Sequence, residues 1–194
     1  MLVCGVLALQ GGWDAHRKIL CELGAEGRPV RTAADLEAVD CLVIPGGEST
    51  AMLHLMEGER LSSRLAERLH TGMAALATCA GVILLAQGVD PEQESLGIMA
   101  LGVERNAYGR QVHSTIAPVT LAAELGDPPQ MEGVFIRAPR ITRLGPEVEI
   151  LGRLGEDPVL VRQDRVLGAT FHPELAADRR VHLLFLEMAE VGHG

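Results

Sequence analysis

The chain has little lysine and few aromatic residues, which argues against a nucleic-acid-binding protein. Among its 194 residues Lys18 is the only lysine, aromatic residues make up 3%, and the formal net charge is −9. Nucleic-acid-binding surfaces are typically basic, with lysine or arginine clusters often interleaved with aromatic residues. The sequence contains no such cluster, so we expect no nucleic-acid partner.

Long apolar runs and closely spaced cysteine pairs are also missing. The first apolar run, Leu2 to Leu9, is too short to span a membrane and follows no positively charged leader, so it predicts neither an anchor nor a signal peptide. No C-x-x-C pair occurs among Cys4, Cys21, Cys41 and Cys79, and nothing else indicates a disulfide scaffold or a zinc site. We therefore expect a cytoplasmic protein without membrane association, metal or cofactor. The first three cysteines are expected to be buried thiols.

Strand-like and helix-like segments alternate along a chain that has no spacer and no internal repeat. With 47% hydrophobic content, residues 1–194 are expected to form one domain. Helices are predicted for Asp14 to about Leu23, Ser49 or Thr50 through Met56, Ser62 to Thr71, Val82 to Ala86 and roughly Asp178 to Val191. Strands are predicted for Leu2 to Leu9, Glu26 to Val30, Cys41 to Ile44, Ala74 to Ala77, Ser114 to Val119, Val134 to Ile136, Val148 to Leu154, Val159 to Gln163 and Val166 to Thr170.

Repeated strand-to-strand connections through helices predict the fold class. They indicate a three-layer α/β fold with a mainly parallel, mixed sheet that is covered by helices on both faces. In such sheets ligands bind beyond the carboxyl ends of the strands. Three motifs of this chain lie at predicted strand ends.

The first motif is Ala77-Thr78-Cys79-Ala80-Gly81, which joins a predicted strand to a predicted helix. Small residues in a tight strand-to-helix turn are typical of a nucleophile elbow, and a helix N-terminus favours negative charge beside it. Because a free thiol has a pKa of about 8.5, a catalytic cysteine needs such surroundings to become a thiolate. The alternative is that Cys79 is a small hydrophobic residue of the core.

The second motif, Phe171-His172-Pro173-Glu174, supplies a base and a carboxylate after the last predicted strand. We expect the segment to be extended, in which case His172 and Glu174 point the same way. Glu174 would orient the imidazole, while His172 would take the thiol proton and later protonate a leaving nitrogen. An isolated His-x-Glu usually has no catalytic role, but with Cys79 it predicts a Cys-His-Glu hydrolytic triad.

The third motif is the glycine-rich turn from Pro45 to Thr50. Glycines let backbone N–H groups approach a ligand, so Gly47 and the amide of Ala80 are candidates for an oxyanion hole. The alternative is an ordinary turn in which Ser49 or Thr50 caps the next helix. A phosphate-binding loop is disfavoured because its lysine is absent.

Segments spread over nearly the whole chain resemble the glutaminase subunits of pyridoxal 5'-phosphate synthase. The cysteine elbow and the His-Pro-Glu segment alone indicate a class I, triad-type glutamine amidotransferase with a flavodoxin-like fold. Pro-Gly-Gly-Glu-Ser-Thr, Arg-Asn-x-x-Gly-Arg-Gln and Phe-Ile-Arg-Ala-Pro narrow the resemblance to this subunit. The matching segments are Gly5 to Gly11, Pro45 to Thr50, Thr78 to Gly81, Arg105 to Gln111, Phe135 to Pro139 and Phe171 to Glu174.

The resemblance implies hydrolysis of L-glutamine to glutamate and ammonia through a thioester on Cys79. The ammonia would pass to a separate, barrel-type oligomeric synthase subunit, which would activate the glutaminase on docking. Gln10 is a candidate contact with that subunit, or alternatively a loop amide that caps a neighbouring turn. The implied substrate-binding residues are Gly47, Glu48, Ser49, Arg105, Ile136 and Arg137. For the two arginines a structural ion pair is the alternative.

Two departures from the family pattern and three rival functions stay open. Ala77 stands where the family usually has glycine, and we expect the elbow to tolerate it. Val112 to Thr115 stands where an acidic and an aromatic residue are more common, and His113 is expected to be a surface residue. The rival functions are the glutaminase subunit of imidazole glycerol phosphate synthase, a cysteine hydrolase of the flavodoxin-like group, and a non-catalytic docking or regulatory subunit.

Overall fold

Helices and strands alternate in the first half of the chain, whereas short strands dominate the second half. The computed structural model describes residues 1–10, 12–57, 60–105 and 115–191. The α-helices in these ranges are α1 Trp13–Glu22, α2 Ala33–Glu37, α3 Ser49–Glu57, α4 Leu61–His70, α5 Ala80–Leu85 and α6 Arg180–Glu190. The strands are β1 Val3–Leu7, β2 Glu26–Val30, β3 Cys41–Ile44, β4 Ala75–Thr78, β5 Ala86–Asp90, β6 Met99–Glu104, β7 Thr115–Leu121, β8 Gln130–Phe135, β9 Arg140–Leu144, β10 Glu149–Leu154, β11 Asp157–Gln163 and β12 Val166–Ala169.

The described strands form one large mixed sheet and one small sheet. The large sheet has the order β2-β1-β3-β4-β12-β11-β10-β7-β8, and β5, β6 and β9 form the small one. In the large sheet, neighbouring strands pair in parallel from β2 as far as β12. From β12 to β8 at the other edge, neighbouring strands pair antiparallel. The antiparallel part follows from the connections, because β10, β11 and β12 are joined by tight turns, whereas a parallel pair needs a long crossover. The predicted α/β class is confirmed.

Helices cover both faces of the large sheet. The alternation within β3 is typical: Cys41 and Val43 pack on the side of α1 and α6, while Leu42 and Ile44 pack towards the helices from α2 to α5. All four residues of β3 are buried, as expected of a central parallel strand that is covered twice. No helix in the described ranges combines the length and the apolarity that crossing a membrane requires.

Four short elements were not predicted from the sequence, namely α2, β5, β6 and β9. Helix α2 has five residues and buries only Leu36, so it carries no helical periodicity. It is held at its start by Thr32 and Asp35, whose side chains each accept a hydrogen bond from the other's backbone N–H. The three strands form the small sheet, whose pairing depends on tertiary contacts more than on local preference.

The prediction that Cys21 is buried is wrong, because α1 turns His16, Ile19 and Leu20 towards the core and leaves Cys21 exposed. Cys4 and Cys41 are buried as expected. The predicted strand from Ser114 begins outside the described residues, and its described part belongs to β7.

Gly81 allows the helix after Cys79 to pack directly against β3. A Cβ atom at this position would lie 2.3 Å from the carbonyl oxygen of Ile44 and 3.2 Å from its carbonyl carbon. These are backbone atoms of a central strand, so they cannot move aside as a flexible side chain can. The absence of a side chain at Gly81 therefore fixes how closely α5 approaches the sheet.

We expect Gly81→Ala to destabilise the protein by about 1–3 kcal/mol, because the added methyl group overpacks a rigid backbone contact. Thermal unfolding followed by circular dichroism measures the change. Gly88→Ala in β5 is the matched control, since a Cβ there meets nothing closer than 3.4 Å. Equal melting temperatures for the two variants would contradict the packing argument.

Candidate active site

Cys79 lies in the turn between β4 and α5, in a backbone conformation that a residue other than glycine rarely adopts. Its φ is 48° and its ψ is −108°. Two hydrogen bonds hold the turn: Cys79 N–H donates to the Ala169 carbonyl at 2.8 Å, and Val82 N–H donates to the Cys79 carbonyl at 3.0 Å. The elbow forms beside a fully buried Ala77, as expected. Cys79 is 6% exposed and lies at the N-terminal end of a helix.

His172 and Glu174 meet across a turn. His172 N–H donates to the Val134 carbonyl at 2.8 Å, and its Nδ1 lies 2.7 Å from Oε1 of Glu174. The prediction of an extended segment is wrong, because Pro173–Leu175 forms a short 3₁₀ turn. Proline has a fixed φ that suits the first position of such a turn. The turn, and not strand alternation, brings the carboxylate to the ring.

Cys79 and His172 come together against Gly46. A Cβ atom on Gly46 would lie 2.6 Å from Cε1 of His172 and 3.3 Å from the Cβ of Cys79. Burial disfavours the imidazolium, but hydrogen bonding to Cys79 and Glu174 outweighs it and raises the pKa of His172 to about 10. The charged imidazolium is therefore the favoured form at neutral pH, next to the sulfur that it can stabilise as a thiolate.

Glu174 is ionised although it is buried. Its side chain is 4% exposed, and burial alone would raise its pKa. Hydrogen bonds from His16 and His172 act in the opposite direction and hold the pKa of this carboxyl group well below its usual value. A fixed negative charge thus stands behind the His172 ring.

The elbow, the histidine and the glycine-rich turn open into one pocket of about 480 Å³. Every residue that the sequence proposed for catalysis or substrate binding lines it. These residues are Gly47, Glu48, Ser49, Cys79, Ala80, Arg105, Ile136, Arg137, His172 and Glu174. Gly12, Ala15, Gly46, Ile83 and Leu175 complete the wall, and none of them was selected from the sequence for this pocket.

Glu48 of the glycine-rich turn makes structural contacts, one of them with Gln10. The Glu48 carboxylate accepts hydrogen bonds from Thr50 N–H at 3.1 Å and Ala51 N–H at 2.8 Å, and so caps α3. Burial opposes ionisation, but these bonds and nearby Arg105 lower the pKa of Glu48. The Glu48 backbone N–H donates to Gln10 Oε1 at 2.6 Å. Gln10 thus makes the loop-capping contact that was one of its two interpretations.

Gln93 links two walls of the pocket and was not identified from the sequence. Its Oε1 accepts hydrogen bonds from Ser49 Oγ at 2.9 Å, from Thr50 Oγ1 at 3.2 Å and from Nη1 of Arg105. Arg105 therefore donates to a neutral amide that also holds the start of α3. These partners are distant in sequence and follow no motif, so no local signal indicated the link.

Ile136 and Arg137 follow β8 and enter the pocket from the opposite side. The Ile136 carbonyl oxygen lies 3.8 Å from Sγ of Cys79. Arg137 is exposed and has a φ of 46°, the second strained backbone on the pocket wall. Gly11 of the first matching segment, the rest of the Arg-Asn motif after Arg105, and the departure at residues 112–114 lie outside the described residues.

Comparison with known proteins identifies the fold and the family. A crystal structure of a glutamine amidotransferase superposes with a TM-score of 0.89 at 46% identity, covering 96% of this chain and 98% of the other. A Thermoplasma acidophilum protein, provisionally described as part of a GMP synthase, superposes with a TM-score of 0.75 at 16% identity, covering 100% and 96%, and supports the fold alone. The fold is that of the class I glutamine amidotransferases.

The family model named SNO glutamine amidotransferase family matches residues 6–191, and the chain belongs to that family. Two relatives are named pyridoxal 5'-phosphate synthase subunit PdxT. The one from Koribacter versatilis is 49% identical over 190 residues, which cover 97% of this chain and 96% of the relative. The one from Thermus thermophilus is 48% identical over 192 residues, which cover 97% and 98%.

We expect Glu174→Gln to lower the pKa of His172 by about one pH unit or more, because the opposite charge is lost while the burial remains. Titration of the His172 ring by ¹⁵N NMR measures the change. Glu132→Gln, at an exposed carboxylate outside the pocket wall, serves as the control. A His172 pKa that is the same in both variants would mean that Glu174 does not set it.

Proposed function

We propose that this chain is the glutaminase subunit of a pyridoxal 5'-phosphate synthase. It hydrolyses L-glutamine through a thioester on Cys79 and supplies the ammonia to a synthase subunit. The observation that carries the proposal is the convergence of Cys79, His172 and Glu174 on one pocket. Family membership and the names of the relatives support this function over a non-catalytic role and over the imidazole glycerol phosphate synthase subunit.

In the first half-reaction the Cys79 thiolate attacks the carboxamide carbon of glutamine. A C–S bond forms, and the carbonyl electron pair moves to oxygen. The backbone amides of Ala80 and Gly47 are the proposed donors to that oxyanion. Because Nδ1 of His172 faces Glu174, its other ring nitrogen is left to protonate the departing nitrogen. The C–N bond breaks, ammonia leaves, and a thioester remains.

In the second half-reaction His172 is neutral and acts as a general base. It takes a proton from a water molecule, whose oxygen adds to the thioester carbonyl carbon. Collapse of this tetrahedral species breaks the C–S bond, expels the Cys79 thiolate and releases glutamate. Glu174 keeps its charge throughout, so it stabilises the imidazolium each time that it forms.

The pocket also suits the α-carbon end of glutamine. That end carries a carboxylate and an ammonium group, so a site that binds it needs charges of both signs. Arg105, Arg137 and Glu48 bring both signs to the pocket wall. They are the proposed substrate-binding residues, together with Gly47, Ser49 and Ile136.

We propose the cytoplasm as the location and, as the partner, a barrel-type, oligomeric synthase subunit. Disulfides are rare in the reducing cytosol, and all four cysteines of this chain are free, which supports that location. The glycine-rich turn offers a physical basis for activation by the partner. In the chain alone the Glu48 N–H donates to Gln10, so this amide is not directed towards the substrate. A partner that presses on this turn can redirect its amides towards the oxyanion.

Replacement of the nucleophile tests the proposed chemistry. We expect Cys79→Ala to abolish ammonia release from glutamine in the presence of the synthase subunit, since no thioester can form. Cys21→Ala, at an exposed cysteine outside the pocket, is the matched control and should keep wild-type activity. Ammonia is measured by a coupled glutamate dehydrogenase assay. Activity that survives in Cys79→Ala would refute the thioester mechanism.

Dependence on the partner tests the proposed assembly. We expect glutaminase turnover to rise severalfold when the pyridoxal 5'-phosphate synthase subunit is added, and to stay at its basal rate with the cyclase subunit of imidazole glycerol phosphate synthase. The same ammonia assay compares the two mixtures. Equal rates with and without the first subunit would contradict activation, and stimulation by the second would favour the rival assignment.

A further inference from the structure

Two fully buried histidines stand behind the proposed triad. His16 on α1 and His182 on α6 are both 0% exposed, and Nδ1 of His16 lies 3.0 Å from Nε2 of His182. The other nitrogen of His16, Nε2, lies 3.2 Å from Oε2 of Glu174. The described residues thus form a continuous polar chain from His172 through Glu174 and His16 to His182.

The protons of this chain follow from the charge of Glu174. An ionised carboxylate only accepts hydrogen bonds, so the nitrogens beside it, Nδ1 of His172 and Nε2 of His16, must both carry hydrogen. The 3.0 Å contact between Nδ1 of His16 and Nε2 of His182 is then a hydrogen bond with one hydrogen between the two rings. Burial, together with the neighbouring His16, lowers the pKa of His182 to about 3, so His182 is neutral and carries a single N–H.

A packing role alone does not account for this arrangement. Burying polar rings is costly unless they are hydrogen-bonded, and apolar side chains fill a space between two helices at less cost. Oε2 of Glu174 is buried without a well-aligned hydrogen-bond donor among the described residues, and the group that faces it is Nε2 of His16 at 3.2 Å, so His16 is what compensates the charge of this oxygen. Thr78, just before the nucleophile, adds its hydroxyl 3.4 Å from the same nitrogen of His16.

We propose that His16 is a positioning residue for the glutaminase reaction, which holds the second carboxylate oxygen of Glu174 while His182 holds the other ring nitrogen of His16. The inference rests on the proposed function. With both oxygens held, the carboxylate cannot rotate away from His172, and it stays ionised. His16 does not line the substrate pocket, so its effect should fall on turnover and not on substrate binding.

The pH dependence follows from the groups that face Glu174. These are His172 from its own segment, with Cys79 beyond it, and His16 from α1, backed by His182 with Arg179 nearby. The hydrogen bond from His16 lowers the pKa of Glu174, so activity is present above that pKa and is lost as the pH falls through it. Removing the bond raises the pKa of Glu174, so the loss occurs at higher pH.

Two substitutions of similar size distinguish the hydrogen bonds of His16 from its packing volume. His16→Gln keeps an N–H for Glu174 and an oxygen for His182, whereas His16→Met keeps the bulk and removes both. With the synthase subunit present, we expect His16→Met to lower kcat roughly tenfold to hundredfold with little change in KM. Its acid limb should move to higher pH. His16→Gln should recover most of the turnover and the wild-type acid limb.

The experiment also includes a control substitution at an exposed histidine and a measurement that does not depend on activity. His70→Met, at an exposed helical site, should leave both kcat and the pH profile unchanged. In the isolated chain, ¹⁵N NMR should find Nε2 of His16 protonated, and a His172 pKa that falls in His16→Met but not in His16→Gln.

The outcomes are distinct. If the wild-type chain releases no ammonia, the proposed function fails while the NMR measurement still tests whether His16 positions Glu174. Equal losses in His16→Met and His16→Gln, with an unmoved acid limb and an unmoved His172 pKa, would overturn the positioning role and leave His16 as a packing residue.

Discussion

The carboxylate of Glu174, buried and held between two histidines, is the interaction on which the rest of the site depends. Burial alone would neutralise it, and a neutral carboxyl group could not sustain the imidazolium of His172. Its charge persists because His172 contacts one oxygen and His16 the other. His172 belongs to the segment after β12 and His16 belongs to α1. The charge of Glu174 therefore depends on the correct packing of these separate parts of the fold.

The topology of the sheet explains why Cys79 and His172 meet. Strands β4 and β12 are parallel neighbours, so their carboxyl ends lie at the same edge. Cys79 follows the first strand and His172 comes shortly after the second, and the hydrogen bond from Cys79 N–H to the Ala169 carbonyl ties the elbow to the strand that leads to His172. Cys79 and His172 are separated by almost half the chain, but in the fold both lie against Gly46.

Much of this site was predictable from the sequence, for identifiable physical reasons. Cys79 and Ala80 follow a buried strand, and small residues there indicate an elbow, so the position of the elbow could be predicted from the local sequence. The pairing of His172 with Glu174 was correctly expected, although a 3₁₀ turn produces it and not an extended strand. His16 and Gln93 were missed because their roles arise only when distant elements pack together. The small sheet was not predicted for the same reason, since its short strands form through tertiary contacts and not through a sequence pattern of their own.

The elbow backbone has a thermodynamic consequence for the molecule as a whole. A left-handed φ at Cys79 costs about 1–3 kcal/mol, an appreciable share of the roughly 5–15 kcal/mol by which native proteins are typically stable. Glycine would relieve that cost, so the most stable version of this turn is one without a thiol. The proposed catalytic role of Cys79 and the most stable backbone for this turn thus favour different residues at one position, and packing in the rest of the sheet offsets the cost of the turn.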